Sequence, residues 1–235
     1  MDKRFSRLEA LIGKNNLDKI KTKKVIVFGA GGVGGFVVES LARSGLEDIT
    51  IVDNDIVEES NINRQIIATS DSLGKSKVEV MKDRVLSINR NSHVTAIQKF
   101  YLPENEEEFD FSKYDYVIDC VDTVCAKISI ICRAKSLGIP VISALGAGNK
   151  LDPLKLLVAD IYKTEYDPLA KVIRKELRNR GIKGVKVVYS SESPVNVVVD
   201  EKEHGRHSPA SAIFVPAAMG ILIAKTVIDD LLTQN

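Results

Sequence analysis

The stretch VIVFGAGGVG, residues 25–34, is an apolar run of strand length that ends in a glycine-rich turn. A helix-like segment, Val33 to Arg43, follows the turn directly. When a strand is followed by a tight turn and then by the beginning of a helix, backbone N–H groups and the positive end of the helix dipole point at one place, where a phosphate can bind. The stretch therefore predicts the first unit of a nucleotide-binding α/β fold.

The four glycines of this turn have separate expected roles. Gly29 allows the tight turn, and Gly34 allows the helix to pack closely on the strand. Gly31 and Gly32 allow a phosphate to approach the backbone. The G-x-G-x-x-G pattern alone predicts a nucleotide without saying which one, and NAD is its usual ligand.

Segments with the periodicity of strands and helices alternate along the first part of the chain. We predict strands near 24–28, 48–52, 94–98, 115–120 and 140–144, and helices near 33–44, 74–88 and 124–137. This alternation predicts a Rossmann-like α/β fold, with a mostly parallel sheet and helices on both faces. A ligand then binds beyond the carboxyl ends of the strands, where Gly29, Asp53 and Asp122 fall.

The character of the chain changes after Gly146. Further strands are predicted at 156–160, 185–189 and 195–199, a helix at 168–180, a polar loop at 200–208 and a last helix at 210–232. We expect an N-terminal helical arm over residues 1–22 and a single domain over residues 23–235. The C-terminal strands and helix complete this domain, and residues 146–209 form insertions that face the substrate.

Composition limits the possible classes of protein. The chain has 235 residues, of which 44% are hydrophobic and 28% charged, and this suits one substantial α/β domain. The net charge of +1 neither requires nor excludes an anionic partner. The longest uncharged run, Ser208 to Ala224, contains Pro216 and Gly220 and favours a buried helix over a membrane span. The N-terminus lacks the apolar region of a secretion signal.

The cysteines do not have metal-ligand spacing. Cys120, Cys125 and Cys132 form neither a C-x-x-C zinc pair nor a disulfide framework. We expect free buried thiols in a reducing cytoplasm, and no zinc.

Charged residues beyond the glycine turn distinguish ATP from NAD. Asp53 follows the second predicted strand and suits the ribose of either nucleotide. Arg64 and Lys77 favour ATP, because a triphosphate under attack needs fixed cations around its leaving pyrophosphate. The alternative is a pair of solvated surface cations, and the amides clustered around Arg64 favour the functional interpretation: Asn61, Asn63 and Gln65.

A carboxylate after a parallel strand and near the phosphates is a natural Mg²⁺ ligand. Asp122 has this position. Asp119 is a second candidate for this ligand. Alternatively, Asp119 has a structural role and does not bind the ion.

Five motifs occur in the same order and spacing as in the ubiquitin-activating-like adenylating superfamily, which includes the ThiF and MoeB proteins. They are GAGGVG from Gly29, DND from Asp53, NINRQ from Asn61, GKSK from Gly74 and DCVD from Asp119. The chain resembles this superfamily, and the resemblance implies an enzyme that adenylates a carboxylate with ATP. It implies that Asp53 binds the ribose, that Asp122 binds magnesium, and that the phosphates and the rest of the nucleotide are bound by Asn61, Arg64, Lys77, Asp55 and Gln65.

The N-terminal RFSR, residues 4–7, resembles the R-[FY]-x-R motif of the same superfamily. In that superfamily an arginine of this motif reaches the phosphates bound by the partner subunit. The resemblance therefore implies that Arg7 is catalytic in trans and that the working unit is a homodimer.

The stretches GAGNKLDP from Gly146 and DIYKT from Asp160, continuing to Ala170, indicate one branch of the superfamily. They are similar to the tRNA threonylcarbamoyladenosine dehydratases. The resemblance extends over nearly the whole chain and implies that the substrate carboxylate is the threonyl group of N6-threonylcarbamoyladenosine 37 in tRNA. Ring closure then releases AMP without an enzyme nucleophile, and a sulfur-relay protein is a possible further partner.

Three other functions remain as alternatives. The first is adenylation of the C-terminal glycine of a ubiquitin-like sulfur carrier, although that branch usually has two C-x-x-C pairs and a downstream cysteine, and no cysteine follows Cys132. The second is an NAD-dependent oxidoreductase, and the third is a scaffold that has lost activity. The first alternative predicts ATP–pyrophosphate exchange that a protein ending in Gly-Gly stimulates. The second predicts that the substitution Arg64→Ala leaves nucleotide binding and activity unchanged.

A basic stripe independently favours an RNA substrate. Four cations follow Pro168 at helical spacing on one side of the predicted helix, namely Lys171, Arg174, Lys175 and Arg178. Val172, Ile173 and Leu177 are assigned to the other face. A stripe of this kind is typical of phosphate-backbone contact, and a solvated helix face is the alternative.

Overall fold

The computed structural model describes residues 3–195, 197, 202–203, 206–207 and 209–233. Its main sheet contains seven strands of this part of the chain: β1 (Lys24–Phe28), β2 (Asp48–Val52), β3 (His93–Ile97), β4 (Tyr116–Asp119), β5 (Val141–Ala144), β6 (Leu156–Asp160) and β7 (Lys186–Ser190). Their spatial order is β3-β2-β1-β4-β5-β7-β6, and every neighbouring pair is parallel except β6 and β7. The predicted mostly parallel α/β fold is confirmed.

The described residues form seven α-helices: α1 (Ser6–Ile12), α2 (Lys14–Lys21), α3 (Gly34–Arg43), α4 (Lys77–Ile88), α5 (Val124–Ser136), α6 (Pro168–Asn179) and α7 (Phe214–Thr233). Two helices begin later than predicted, for identifiable reasons. Gly74, the expected start of α4, has φ +76, which is outside the helical range. Ahead of α7, the Ala210 carbonyl accepts from the Asn149 backbone N–H at 2.7 Å, which holds this segment outside the helix.

The direction of chain progression reverses between β1 and β4. The chain runs outward from β1 to β2 and β3, and then returns to place β4 on the other side of β1. Loops that follow the two strands diverge there and leave a crevice at the carboxyl edge of the sheet, where Rossmann-like folds bind nucleotides. The glycine turn follows β1, and Asp122 follows β4, so both line this crevice.

The core has two layers because alternate strand residues face opposite sides of the sheet. One layer contains Val27 and Ile51 together with apolar residues of α3, α4 and α7. The other contains Ile26 and Val117 together with residues of α5 and α6. An aromatic group made of Phe28, Tyr101, Phe109 and Phe111 belongs to this second layer.

The C-terminal α7 lies directly on α3, close to the glycine turn. A Cβ on Gly220 would lie 2.5 Å from the carbonyl oxygen of Val33 and 2.7 Å from Cβ of Phe36, so only glycine allows this approach. The helix is apolar over most of its length, with Val215, Met219 and Ile223 buried, and this suits its position against α3 and against β5, β6 and β7. Among the described residues no helix is both long and apolar enough to cross a membrane.

The N-terminal arm packs against the rest of the chain. Leu17 and Ile20 are buried, and Lys19 Nζ donates to the Leu232 carbonyl at 3.0 Å. Segment 146–209 contributes the strands β6 and β7 to the sheet and the helix α6 to the layer that packs on it. The boundaries of arm and domain, and the orientation of this segment toward substrate, stay predictions.

Part of the predicted C-terminal structure lies outside the described residues. This applies to most of the predicted strand 195–199 and to much of the predicted loop 200–208. Within that loop, Lys202–Glu203 pairs with Arg206–His207 as a short antiparallel ladder, so the described part is extended rather than irregular.

Candidate active site

Two glycines of the turn are required by direct contacts between backbone segments. Gly29 has φ +91, and a Cβ there would lie 2.7 Å from the carbonyl oxygen of Cys120. A Cβ on Gly34 would lie 1.8 Å from the carbonyl oxygen of Gly29. Both distances are too short for any side chain, so the predicted roles of Gly29 in the turn and Gly34 in packing agree with the geometry.

The middle of the turn is more open. The atom nearest to a Cβ on Gly31 would be Gln65 Nε2 at 3.8 Å, and on Gly32 the nearest atoms would be Pro216 Cβ at 3.4 Å and Arg64 Cγ at 3.5 Å. The Arg64 carbonyl oxygen would also lie 3.6 Å from a Cβ on Gly32, so every contact here is at ordinary van der Waals distance and none is as close as those at Gly29 and Gly34. This geometry fits the close approach of a phosphate.

Asp53 is fixed against the turn. Its Oδ2 accepts from the Ala30 backbone N–H at 2.7 Å, and its Oδ1 accepts from the Asp55 backbone N–H at 2.8 Å. Burial raises the pKa of this carboxyl above its usual value, although the two backbone donors and nearby Lys77 act against the rise. Each carboxylate oxygen can accept a second hydrogen bond, so the group can still bind ribose hydroxyls.

Lys77 lies at the start of α4, and its side chain is nearly enclosed. Its Nζ donates to Asp55 Oδ2 at 2.8 Å, which ties the first turn of the helix to the loop after β2. An ammonium has three donors, so the Asp55 contact leaves others for a phosphate. The partly exposed Asp55 therefore holds Lys77 in the site, and its predicted contact with the nucleotide stays a prediction.

The NINRQ segment is ordered by its own side chains. Asn61 is buried and its Oδ1 accepts from the Glu58 backbone N–H at 3.2 Å, so it closes the turn that presents the following residues. Arg64 Nη1 donates to the Ser60 carbonyl at 2.7 Å and to Asn63 Oδ1 at 3.2 Å. These contacts hold the guanidinium on the exposed side of the loop.

Gln65 has a buried acceptor that lacks a partner. Its Oε1 is enclosed and makes no hydrogen bond within the described part of the chain, while its Nε2 faces Gly31. A buried unpaired acceptor is costly, and such groups are rare unless a ligand or water completes them. A ribose hydroxyl, the adenine amino group or a water would complete this acceptor, so the site is compatible with the donor groups of a nucleotide.

The two aspartates after β4 differ in environment. Asp122 is exposed and its Oδ1 accepts from the Thr123 hydroxyl at 3.3 Å. Asp119 is fully buried, and its Oδ2 accepts from Lys127 Nζ at 2.7 Å and from Ser143 Oγ at 2.5 Å. Asp119 therefore has the structural role that the sequence left as an alternative, and Asp122 is the carboxylate available to a cation.

The predicted trans arginine lies away from this edge. Arg7 is exposed on α1, and its neighbour Arg4 donates from Nη1 to Asn89 Oδ1 at 2.8 Å, just after α4 ends. Since α4 begins at the nucleotide edge and ends at the other, α1 lies at the opposite edge of the sheet. The other predicted nucleotide residues cluster around the glycine turn, and Arg7 does not join them within one chain.

The segment before α7 and the first turn of that helix also contribute to the site, which the sequence did not predict. Ser211 accepts through its carbonyl from Asn63 Nδ2 at 2.8 Å, and Pro216 lies against the turn at Gly32. These contacts join NINRQ, the glycine turn and α7. No local pattern marks them, because the segments are far apart in sequence.

The basic stripe on α6 differs from its prediction at two positions. Arg174 is half-buried and donates from Nη1 to the Thr164 carbonyl at 2.5 Å and to the Thr164 hydroxyl, so it fixes the loop before the helix instead of facing solvent. Val172, assigned to the buried face, is 46% exposed, because the buried face is narrow and consists of Ala170, Ile173 and Leu177. The remaining members of the stripe are exposed: Lys171, Lys175 and Arg178.

The exposure of the three cysteine thiols agrees only in part with the prediction that they are buried. Cys125 is exposed, whereas Cys120 and Cys132 are partly buried, so the prediction of buried thiols is wrong for Cys125. Burial and the neighbouring Asp119 carboxylate raise the pKa of the Cys120 thiol, which disfavours its nucleophilic thiolate form.

The fold and this site define a nucleotide-binding protein of Rossmann type with fixed cations beside the phosphate turn. The ThiF family model matches residues 5–228, and the chain belongs to the ThiF family. It is similar to the tRNA threonylcarbamoyladenosine dehydratase of Bacillus subtilis (strain 168), with 44% identity in an alignment that covers 97% of this chain and 94% of that protein.

Solved structures agree with this relationship. The fold is similar to the crystal structure of the Escherichia coli tRNA N6-threonylcarbamoyladenosine dehydratase TcdA in complex with AMP, with a TM-score of 0.90, 34% identity and coverage of 97% of this chain and 94% of that chain. For the same enzyme in complex with ATP, the TM-score is 0.88 at 33% identity, with coverage of 97% and 93%. The resemblance inferred from the sequence motifs is confirmed.

Proposed function

We propose that the chain is an ATP-dependent enzyme that adenylates the threonyl carboxylate of N6-threonylcarbamoyladenosine 37 in tRNA and closes it to the cyclic form. The observation that carries the proposal is the open backbone at Gly31 and Gly32, bordered by Arg64 and by the unpaired buried acceptor of Gln65. Similarity to dehydratase structures with ATP and AMP over 97% of the chain supports a nucleotide at this place.

The reaction has two steps. The threonyl carboxylate attacks the α-phosphate of ATP, and the bond to pyrophosphate breaks with its electrons leaving on pyrophosphate. The carbamoyl nitrogen or oxygen then attacks the activated carbonyl, a carbamoyl N–H loses its proton, and AMP departs. The net change in the nucleoside is the loss of one water, and neither step needs a nucleophile from the protein.

The side chains of the site supply charge and position. Arg64 and Lys77 stabilise the negative charge that develops on the leaving pyrophosphate, and they act without reorganisation because Ser60 and Asp55 already hold them. Asp53 binds the ribose hydroxyls and thereby fixes the nucleoside end of ATP. Asn61 and Gln65 complete the nucleotide-binding set.

Asp122 is the proposed ligand for Mg²⁺. In the described part of the chain no group of three or more acidic, cysteine or histidine side chains forms a metal site. A single exposed carboxylate still fits Mg²⁺, because this ion is commonly bound by one or two carboxylates together with substrate phosphates and water. Held there, the ion would neutralise charge on the phosphates.

Two partners belong to the proposal. The exposed cations of α6 would contact the phosphate backbone of tRNA, and Arg7 of a second copy would complete the ATP site in a homodimer. A cytoplasmic location and a sulfur-relay protein stay predictions from the sequence. The sulfur-carrier alternative is disfavoured by the similarity to tRNA threonylcarbamoyladenosine dehydratases over 97% of the chain, and no cysteine follows Cys132 to accept sulfur.

The direct test is mass spectrometry of nucleosides from tRNA incubated with the protein and ATP. We expect threonylcarbamoyladenosine to lose the mass of one water as AMP appears. Lys77→Ala and Asp122→Ala should lower AMP release by about 100-fold or more, because each removes a charge that acts in the transition state.

Lys82→Ala, which alters a half-buried lysine of the same helix that pairs with Glu79, is the matched control and should keep full activity. Circular dichroism would show that all variants are folded. Full activity in either site variant, or pyrophosphate exchange that responds to a Gly-Gly carrier protein and not to tRNA, contradicts the proposal.

A further inference from the structure

Tyr166 combines two features that rarely occur together. Its side chain is 70% exposed, and its backbone has φ 55, in the left-handed region that favours glycine. Asn149 is the other non-glycine residue with positive φ among those described, at φ 58, but asparagine tolerates this conformation far better than tyrosine. An exposed aromatic ring on a strained backbone does not contribute to the core, so burial does not explain its presence.

The strain is held from both sides by buried contacts. Asp167, the next residue, is buried and its Oδ1 accepts from the Ala170 backbone N–H at 2.9 Å, which caps α6. Its Oδ2 accepts from Lys150 Nζ at 3.3 Å. Thr164, on the other side, is fixed by Arg174. The ring of Tyr166 is therefore presented on a rigid loop, which is how strained residues at binding sites are usually maintained.

The loop places Tyr166 between the nucleotide edge and the basic helix. Asp167 Oδ2 also accepts from the Gly146 backbone N–H at 3.2 Å, and Gly146 follows β5 at the carboxyl edge of the sheet. On the other side, α6 begins at Pro168, and Lys171 is the first exposed cation of its stripe. A polynucleotide bound along α6 would therefore pass Tyr166 before its modified base reaches the ATP site.

We propose that Tyr166 is a stacking platform for an unpaired base of the RNA substrate, next to the nucleotide that is modified. Single-stranded loops are recognised by stacking of splayed bases on exposed aromatic rings beside cationic grooves, and the ring here has both exposure and neighbouring cations. A rigid backbone favours this use, because little side-chain and loop entropy is lost on binding. The inference rests on the proposed function and adds a contact that selects a loop in the RNA over a duplex.

The test measures binding of an anticodon stem-loop that carries 2-aminopurine beside the modified adenosine. Tyr166→Ala should weaken binding by about tenfold or more, as expected for loss of one base–aromatic stack, and should lose the fluorescence change on binding. Tyr166→Phe keeps the ring, so it should keep both the RNA affinity and the fluorescence change on binding. ATP affinity should not change in either variant.

Two further variants separate the ring from the backbone. Tyr166→Gly removes the strain as well as the ring, and it should bind RNA as weakly as Tyr166→Ala. Glu165→Ala, an exposed neighbour without a ring, is the matched control and should not weaken binding. If Tyr166→Gly binds normally while Tyr166→Ala does not, the backbone conformation matters instead of the ring, and the inference is wrong.

Analytical sedimentation of the Tyr166→Ala variant tests whether the ring contacts a second copy of the chain instead of RNA. A change in oligomeric state would overturn the inference by showing that the ring contacts a second copy of the chain. If the wild-type protein neither binds nor dehydrates the tRNA, the proposed function itself fails. If the wild-type protein does both and Tyr166→Ala equals it, only the stacking role fails.

Discussion

At the scale of single residues, Lys127 is the most consequential side chain that the sequence motifs do not mark. It is fully buried, and its Nζ donates to Asp119 Oδ2 at 2.7 Å, to the Ala144 carbonyl at 2.8 Å and to Ser143 Oγ at 3.2 Å. Asp119 Oδ1 in turn accepts from the Val121 backbone N–H at 3.2 Å. The network therefore joins α5 to the ends of β4 and β5 and orders the loop that carries Asp122.

We expect Lys127→Met to lower the free energy of unfolding by about 3–5 kcal/mol, because it leaves the Asp119 carboxylate buried without its charge partner. Equilibrium unfolding in urea measures the effect. Lys127→Met combined with Asp119→Asn removes both charges and should lose less stability than Lys127→Met alone. A double variant that equals the sum of the single variants would contradict this pairing.

Lys225→Met provides the comparison for an exposed ion pair. Lys225 contacts Asp229 on the surface of α7, and both side chains are more than half exposed. Exposed pairs of this kind contribute roughly 0–1 kcal/mol, so this variant should unfold close to the wild type.

At the scale of elements, α6 carries structural and surface cations on one helix. Arg174 holds the preceding loop, Arg178 lies with Cζ 5.5 Å from the ring centre of Tyr162, and Lys171 and Lys175 are exposed. The helix begins at Pro168, and its capping residue Asp167 lies next to the nucleotide edge. Its exposed cations therefore extend away from the ATP site along one face of the molecule. This arrangement suits a nucleic acid that is long compared with its reacting base.

Lys171→Glu/Lys175→Glu should weaken tRNA binding and make it less dependent on salt. The slope of log K against log salt should become shallower by up to about 2, since each lost phosphate contact contributes roughly 0.9. Nitrocellulose filter binding at several salt concentrations measures both quantities, and ATP affinity should be retained.

Lys82→Glu/Lys225→Glu changes the net charge by the same amount on α4 and α7, which pack on the other face of the sheet, and this double variant should bind tRNA normally. Equal weakening by this control would show that only net charge matters. Arg174→Glu should instead destabilise the loop before α6, so its effect would appear in unfolding as well as in binding.

At the scale of the whole molecule, the site is incomplete within one chain if Arg7 acts as proposed. The contacts of Arg4 with Asn89 and of Phe5 near Gly45 place the start of the arm at the edge opposite the glycine turn. A side chain on this arm cannot reach the ATP site of its own chain, whereas a two-fold dimer can bring it to the site of the partner.

Mixing two inactive variants tests this arrangement. Arg7→Ala has an intact ATP site but supplies no arginine, and Lys77→Ala supplies the arginine but has a defective site. After subunit exchange in an equal mixture, half of the dimers are mixed and have one complete site, so about one quarter of the wild-type activity should return. AMP release by the mixture is the measurement, and no recovery despite proven exchange would show that Arg7 does not act in trans.

The sequence by itself determined the strands β1 to β5, the helices between them and the nucleotide turn. These features depend on periodicity and on residues close together in the chain, such as the four glycines after Phe28 and the NINRQ segment. Their local signals are strong because a buried parallel strand needs an apolar run and a tight phosphate turn needs glycine. The resemblance of these motifs to an adenylating superfamily was sufficient to find the family.

Only the tertiary structure decided which charged residues are structural and which are exposed. Asp119 and Asp122 lie in one tetrapeptide, yet the first is buried with Lys127 and the second is exposed. Arg174 has the helical spacing of the surface stripe, yet it is half-buried and hydrogen-bonded to Thr164. The left-handed backbone of Tyr166 likewise depends on contacts that its neighbours make with distant segments. Burial and pairing are set by chain segments remote in sequence, and no local pattern encodes them.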